Sequence, residues 1–420
     1  MKNIYASVIT IGDELLIGQV IDTNSSWIAQ QLNKIGIAVK KRISIGDDAD
    51  EMRKALDMES KEVEVVLITG GLGPTSDDIT KDVLGKYFGG KMIVNEGALE
   101  NVKYLFEKVY KKPVTQVNLL QAQVPDVCEV IQNKRGSAPG MIFHKGKTIF
   151  ISMPGVPYEM QGIMNDVIPF LQKQFELPVI IHRTILTADI GESALAEIIA
   201  DFEKDLPKEI RLAYLPAHGM VRLRLTTTGF DKIATEKLMD DQFEQLKTLV
   251  KKYMVTDEDE TMQQVLGKLL LQNKETVSTA ESCTGGAIAS LITSVAGSSQ
   301  YFEGSIISYS YGVKETLLNV NKETLNTYGA VSGETVVEML NGLLNKLNTN
   351  YGIAVSGIMG PDGGTPAKPV GTVWIAVGNK ERYVAKRIQQ RFERLKNIEV
   401  TSIMALNMMR KFIINDIISS

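Results

Sequence analysis

A serine and a cysteine stand side by side in the stretch STAESCTGG: Ser282 and Cys283, followed at once by Thr284 and the pair Gly285–Gly286. Either side chain becomes a nucleophile when a base takes its proton. The pattern reads as a buried strand, ETVSTAES, running into a helix that opens at TGGAIAS, with both candidates at the joint. Backbone N–H groups at a helix start lack partners and sit at the positive end of the dipole. They suit an oxyanion, or lower a thiol pKa. The same residues also suit a plain N-cap beside a small buried cysteine, so the residues alone leave Ser282 and Cys283 both open. The base is better constrained. The three histidines are His144, His182 and His218. A Ser-His or Cys-His pair within the C-terminal part is therefore excluded, leaving a Lys, a Tyr or a carboxylate. SYSYGVKETLL places Tyr309 at a strand end and Lys314 at the start of a helix. Burial moves a lysine toward neutrality and makes it a base. The long loop in SGIMGPDGGTPAKPVGTVW lies between two strands and suits a nucleotide phosphate.

A second constellation lies near the N-terminus. IGDELLIGQVIDTN and TGGLGPTSDDIT each follow an apolar run of strand type, and ligands of open α/β sheets sit at the carboxyl ends of strands. Gly70, Gly71, Gly73 and Thr75 offer backbone N–H groups to a phosphate. Asp13, Glu14, Asp77 and Asp78 are carboxylates of the kind that hold a Mg²⁺-like cation against phosphate oxygens. Asp78 also suits an N-cap of the following helix, and Asp13 a turn. GSAPGMIF and MPGVPYEM add two Gly-Pro loops. His144 and His182 fall in strand contexts and read as structural.

These loops need rigid elements to hold them. IYASVITIG, IAVKKRISIG and VEVVLITGG read as strands, separated by the helices TNSSWIAQQLNKIG, capped by Asn24 or Ser25, and DADEMRKALDM. That order predicts a parallel sheet covered by helices. Residues 179–251 differ: a strand, a helix, a hairpin around His218–Gly219 and a long amphipathic helix make a small α+β unit. From 258 the α/β alternation resumes. The fold class expected is thus α/β, with two three-layer domains, residues 1–174 and 258–416, and a small α+β domain at 175–253 between them. At 420 residues, two or three domains agree with roughly 150 residues each. Lys and Arg number 46 against 50 Asp and Glu, so nothing calls for nucleic acid or a membrane surface. The two cysteines, Cys128 and Cys283, have no metal spacing, and no apolar run reaches a membrane span of roughly 18 residues. With no secretory leader pattern in MKNIYASVITIGDELL, the expected setting is the reducing cytoplasm.

The motifs IGDELLIGQVIDTNS, TGGLGPTSDDIT, MPGVPYEM, AESCTGG, YSYGVK and SGIMGPDGGTPAKPVGTVW together resemble the CinA (competence/damage-inducible protein) family over essentially the whole chain. The resemblance implies an N-terminal domain of the molybdopterin-binding-like superfamily that hydrolyses ADP-ribose with a divalent cation. It implies a KH-like middle domain and a C-terminal amidohydrolase that converts nicotinamide mononucleotide to nicotinate mononucleotide and ammonia without a cofactor. It puts the nucleophile on Ser282, with Tyr309 and Lys314 as catalytic partners. Substrate and oxyanion contacts are then expected from Cys283, Thr284, Gly285, Gly286, Gly357, Gly360, Asp362, Gly363, Gly364, Thr365 and Arg394. The family is dimeric, so a homodimer is expected. Two positions depart from its pattern. Tyr311 stands where Asn is frequent, and QRFERLKNIE replaces a Gly-Asp-Arg-like signature, with Arg394 as the match. The competing reading is a non-hydrolytic pterin- or nucleotide-binding module, or a nucleic-acid adaptor. A KH domain that grips nucleic acid needs a GXXG loop, and residues 179–251 contain none.

Overall fold

The computed structural model describes residues 3–75, 77–217 and 219–414; Ser76 and His218 lie outside them. The chain divides into two compact units, Met1–Ile181 with Thr227–Leu238 and His182–Thr226 with Met239–Ser420.

In the first unit, strands β1 (Tyr5–Ile11), β2 (Ala38–Ile45), β3 (Val65–Thr69), β4 (Glu129–Ile131), β5 (Gly140–Lys145) and β6 (Thr148–Met153) form one sheet in the order β2-β1-β3-β6-β5-β4. The first four in that order run parallel. β5 and β4 are antiparallel, so the sheet is mixed rather than wholly parallel. Helices α1 (Thr23–Lys34) and α4 (Pro157–Gln174) cover one face, and α2 (Ala49–Glu59) and α3 (Thr80–Phe88) the other. The period-two pleat explains the layering. Ala6 and Val8 of β1 pack with Ile28, Leu32 and Met160, whereas Ile9 and Ile11 pack with Leu56, Leu84 and Phe150. GSAPGMIF, expected as a loop, supplies β5: its second half is apolar and fully buried. MPGVPYEM turns directly into α4, with Pro157 in the first turn, where a missing N–H costs nothing.

The small middle sheet has the order β8-β9-β7-β10, from β7 (Val179–Ala188), β8 (Ile210–Ala217), β9 (Met220–Gly229) and β10 (Met254–Thr256). Helices α5 (Glu192–Ile198), α6 (Ala200–Asp205) and α7 (Lys232–Val250) accompany it. The expected hairpin is β8–β9. His182, on β7, shares a 2.8 Å hydrogen bond with Thr226.

The C-terminal sheet is again mixed. Strands β11 (Val277–Glu281), β12 (Phe302–Ile307), β13 (Tyr351–Gly357), β14 (Thr372–Gly378) and β15 (Tyr383–Gln389) take the order β12-β11-β13-β14-β15. β12, β11 and β13 are parallel, and β14 and β15 antiparallel. On one face lie α8 (Met262–Asn273), α9 (Ala287–Thr293) and, last in the chain, the helix Arg394–Ile413. On the other lie α10 (Tyr311–Leu318), α11 (Lys322–Tyr328) and α12 (Gly333–Leu347); the helix Arg394–Ile413 is α13. Val277, Ile353 and Val355 face the first layer, and Ala280 and Ala354 the second. Both larger domains are therefore three-layer α/β.

Gly342 sets how closely α10 approaches α12, because a Cβ there would fall on the Leu318 carbonyl oxygen at the end of α10. Gly342→Ala is expected to destabilise the protein by about 2 kcal/mol, read as a lower urea midpoint at unchanged m-value.

Candidate active site

Ser282 follows the last residue of β11, and its N–H still donates to the Val355 carbonyl of β13 at 3.0 Å. The chain then turns through Cys283–Gly286 before α9 begins. Gly286 has φ +101°, a left-handed conformation that favours glycine. The helix thus starts three residues later than TGGAIAS suggests, and the intervening turn presents the Ser282 side chain.

Lys314 comes from the first turns of α10. Helical side chains lean toward the helix N-terminus, and here the lysine stem runs back to the ends of β11 and β12. Its Nζ donates to Ser282 Oγ at 2.9 Å, to the Ser308 carbonyl at 2.6 Å and to the Tyr309 carbonyl at 3.1 Å. Lys314 is fully buried with no carboxylate on its ammonium among the described residues, and burial pulls its pKa down to about 8. Cys283 is also buried, in the core cluster with Val355 and Met359, and burial pushes its thiol up to about 12. A thiol so far from ionisation makes a poor nucleophile.

Ser282, Cys283, Tyr309, Gly357, Gly360, Asp362, Gly363 and Arg394 line one cavity of about 270 Å³, together with Ala330, Val331, Ser356, Ile358 and Met359. Arg394, at the start of α13, donates to the Gly360 carbonyl at 2.8 Å and to the Tyr309 hydroxyl at 3.3 Å. The Tyr309 ring is exposed, and its hydroxyl meets Arg394 rather than Lys314; its carbonyl is what holds the lysine. Asn397 of α13 braces the same wall, donating to the Met359 carbonyl at 3.0 Å. Thr284, Gly285, Gly286, Gly364 and Thr365 do not line the cavity. Thr284 is buried, and its hydroxyl donates to Glu281 at 2.7 Å.

One expectation is corrected here. The first N–H groups of the helix are not open to an oxyanion, because the Glu281 carboxylate takes those of Gly286, Ile288 and Ala289 at 3.0, 3.1 and 2.9 Å. The turn itself keeps two candidates: the N–H groups of Cys283 and Thr284 have no oxygen acceptor among the described residues.

In the N-terminal unit the motif loops meet at the carboxyl ends of β1, β3 and β6. A cavity of about 110 Å³ is lined by Thr10, Glu14, Asp22, Asn24, Thr69 and Gly155, among others. Asn24 donates to the Gly155 carbonyl at 2.7 Å and to Thr69 at 3.3 Å, while its buried Oδ1 has no partner among the described residues. The four N-terminal carboxylates divide. Glu14 lines the cavity. Asp13 exchanges hydrogen bonds of 3.2 Å with Asp47, each carboxylate accepting the other residue's N–H. Burial raises the Asp47 carboxyl, and the charges of Asp13, Glu14 and Asp77 raise it further. Asp77 is exposed. Asp78 is not the cap of α3; it folds back to accept the N–H groups of Gly73 and Thr75 at 2.8 and 3.0 Å. Those two N–H groups, and that of Gly70, which donates to the Met153 carbonyl at 3.1 Å, are engaged within the protein rather than open to a phosphate. Gly71 lies beside Thr80 at the start of α3, outside the cavity lining. Asp22, which caps α1 in place of Asn24 or Ser25, and Asn24 itself were the residues missed, although the polar run Asp-Thr-Asn sits inside the motif that pointed to the site.

Three segments match known domain families: residues 7–173 a probable molybdopterin binding domain, 182–256 the damage-inducible protein CinA KH domain, and 259–413 the CinA C-terminal domain. The chain is 48% identical to a CinA-like protein of Flavobacterium psychrophilum over 98% of its own length and 99% of that protein, and 43% identical to one of Cytophaga hutchinsonii over 97% and 98%. The chain belongs to the CinA family. A solved CinA protein of Thermoplasma acidophilum is 34% identical over 40% of this chain and 98% of its own, with a TM-score of 0.37.

Tyr311 turns its hydroxyl to accept the Ala330 N–H at 3.3 Å. It thereby braces the wall of the cavity on which Ala330 and Val331 lie. Among the described residues no helix is long and apolar enough to cross a membrane.

Proposed function

We propose that the C-terminal domain of this CinA-family chain hydrolyses the carboxamide of nicotinamide mononucleotide, with Ser282 as nucleophile and Lys314 as base. The observation that carries the reading is the 2.9 Å contact between Lys314 Nζ and Ser282 Oγ, made by a buried lysine whose pKa is brought to about 8. Neutral Lys314 accepts the serine proton as Oγ bonds to the carboxamide carbon, and the carbonyl oxygen becomes an oxyanion held by the N–H groups of Cys283 and Thr284. Collapse breaks the C–N bond, and the Lys314 proton goes to the leaving nitrogen as ammonia. Water then attacks the acyl-serine, gives its proton to Lys314 and releases the carboxylate. The proton returns to Ser282 Oγ. Arg394 and the 357–363 loop supply the donors that face the rest of the nucleotide. Purified protein should release ammonia from nicotinamide mononucleotide; a folded preparation that releases none refutes this assignment.

A second activity is favoured in the N-terminal domain by the unpartnered Asn24 Oδ1 and the crowded carboxylates at the strand ends. We assign it the hydrolysis of ADP-ribose at its pyrophosphate. Among the described residues no three His, Cys, Asp or Glu side chains come together to hold a metal; a hard divalent cation such as Mg²⁺ typically takes only one or two protein carboxylates and completes its shell with water and phosphate oxygens. Glu14 and Asp13 or Asp77 would hold it. When bound, the cation neutralises phosphate charge. The protein's own part is to orient the ligand: Asn24 Oδ1 accepts a ligand hydroxyl, and Asp22 fixes the start of α1 beside it. ADP-ribose turnover should vanish in EDTA and return with Mg²⁺, and Asn24→Ala should raise KM about tenfold; turnover that persists in EDTA refutes the cation's part. Both substrates are soluble nucleotides, and we take the protein to act on them in the cytoplasm as a homodimer.

A further inference from the structure

We infer that Glu281 is the positioning residue of the nucleophile turn, an assignment that rests on Ser282 being the nucleophile. A fully buried carboxylate is costly unless its oxygens are satisfied. Glu281 meets that condition with an unusual set of partners. One oxygen accepts the Thr284 hydroxyl at 2.7 Å and the N–H groups of Gly286 and Ile288 at 3.0 and 3.1 Å. The other accepts the Ala289 N–H at 2.9 Å and shares the Thr279 hydroxyl, 3.2 Å away, with Ser305 Oγ, which lies nearer that hydroxyl at 2.7 Å; the Ser305 hydroxyl in turn reaches this oxygen at 3.5 Å. An ordinary surface cap uses one small side chain next to the helix. Here the last residue of β11 reaches forward over the turn that follows it. It joins three things: the strand before Ser282, the turn and helix after it, and, through Ser305 on β12, the strand that leads to the carbonyls gripping Lys314.

The consequence is chemical as well as structural. Glu281 removes the first N–H groups of α9 from service and fixes the turn so that those of Cys283 and Thr284 remain. These two donors strengthen only as negative charge develops on the substrate oxygen. A shifted turn therefore lowers kcat and leaves KM, which depends on Arg394 and the 357–363 loop, nearly unchanged. It also misplaces Ser282 Oγ relative to Lys314.

The test uses the full-length protein with Glu281→Gln, which keeps the shape but turns an NH₂ toward N–H donors. Thr279→Val, which removes one donor and suits a strand, is the milder companion. Three quantities are measured on each: kcat and KM for ammonia release from nicotinamide mononucleotide, the rate at which a fluorophosphonate probe labels Ser282, and Tm. For Glu281→Gln, kcat and labelling rate should each fall about a hundredfold with KM within about twofold of wild type. Thr279→Val should show a several-fold fall of the same kind. Folded Glu281→Gln protein whose kcat and labelling stay within about threefold of wild type, whatever its Tm, overturns the inference. If that variant does not fold, unchanged kcat and labelling in Thr279→Val overturn it instead. Wild-type protein that is labelled at Ser282 yet releases no ammonia refutes the substrate assignment alone, and the labelling ratio still decides the role of Glu281. Wild-type protein that does neither overturns both.

Discussion

Ser282→Ala is expected to lower ammonia release from nicotinamide mononucleotide by at least about 10⁴-fold, whereas Cys283→Ala stays within about threefold of wild type. The two residues line the same cavity, but only the serine hydrogen-bonds to Lys314. Ser282 Oγ has a base 2.9 Å away on the wall of a cavity. The Cys283 sulfur packs in the core, with its ionisation pushed to about 12, so at neutral pH almost none is thiolate. Truncating it removes one buried sulfur, a loss of about 1 kcal/mol in stability, visible in Tm rather than in kcat. The reverse result, a dead Cys283→Ala beside an active Ser282→Ala, would mean that the thiol is the nucleophile. The amidase assignment to Ser282 and Lys314 would then be wrong.

Lys314→Met should be equally severe, and its pH behaviour sets it apart from a misfolded variant. The wild-type lysine acts as base only when neutral. With a pKa of about 8 it is mostly protonated at pH 7, so kcat/KM should rise about tenfold per pH unit below 8 and level off above it. A profile that is flat from pH 6 to 9 would exclude Lys314 as the base. The stability signature has its own sign. Folding lowers this pKa from the ordinary 10.5 to about 8, so the unfolded chain binds more protons between those values and the burial cost is largest below pH 8. The Met variant bears no such cost. Its Tm should therefore gain on wild type below pH 8, and the gap should close as pH rises toward 10.5.

Much of this arrangement is legible before any coordinates, because it is local. The apolar runs of β1, β3 and β11 are continuous, and their turns are marked by glycine. The absence of histidine after residue 218 limits the base by simple count. What the sequence conceals is long-range. β5 and β4 pair antiparallel at one edge of the N-terminal sheet, a fact no local periodicity encodes, and GSAPGMIF reads as a loop because its two glycines and one proline outweigh the short apolar tail. Glu281 looks like the ordinary polar end of a strand; only the fold brings Gly286, Ile288 and Ala289 around it. The pairing of Tyr309 with Arg394 spans 85 residues, so the tyrosine looked like a partner of the nearby lysine rather than of the last helix.

That same pairing bears on how the protein is made. The nucleophile turn and its lysine belong to early strands of the C-terminal domain, but the cavity closes only when α13 delivers Arg394 to Gly360 and Tyr309. Domains fold largely in the order of synthesis, so the first unit has most of its sequence available to fold long before this pocket can exist. A chain that stalls before α13 would lack Arg394 and Asn397, and with them one wall of the substrate site.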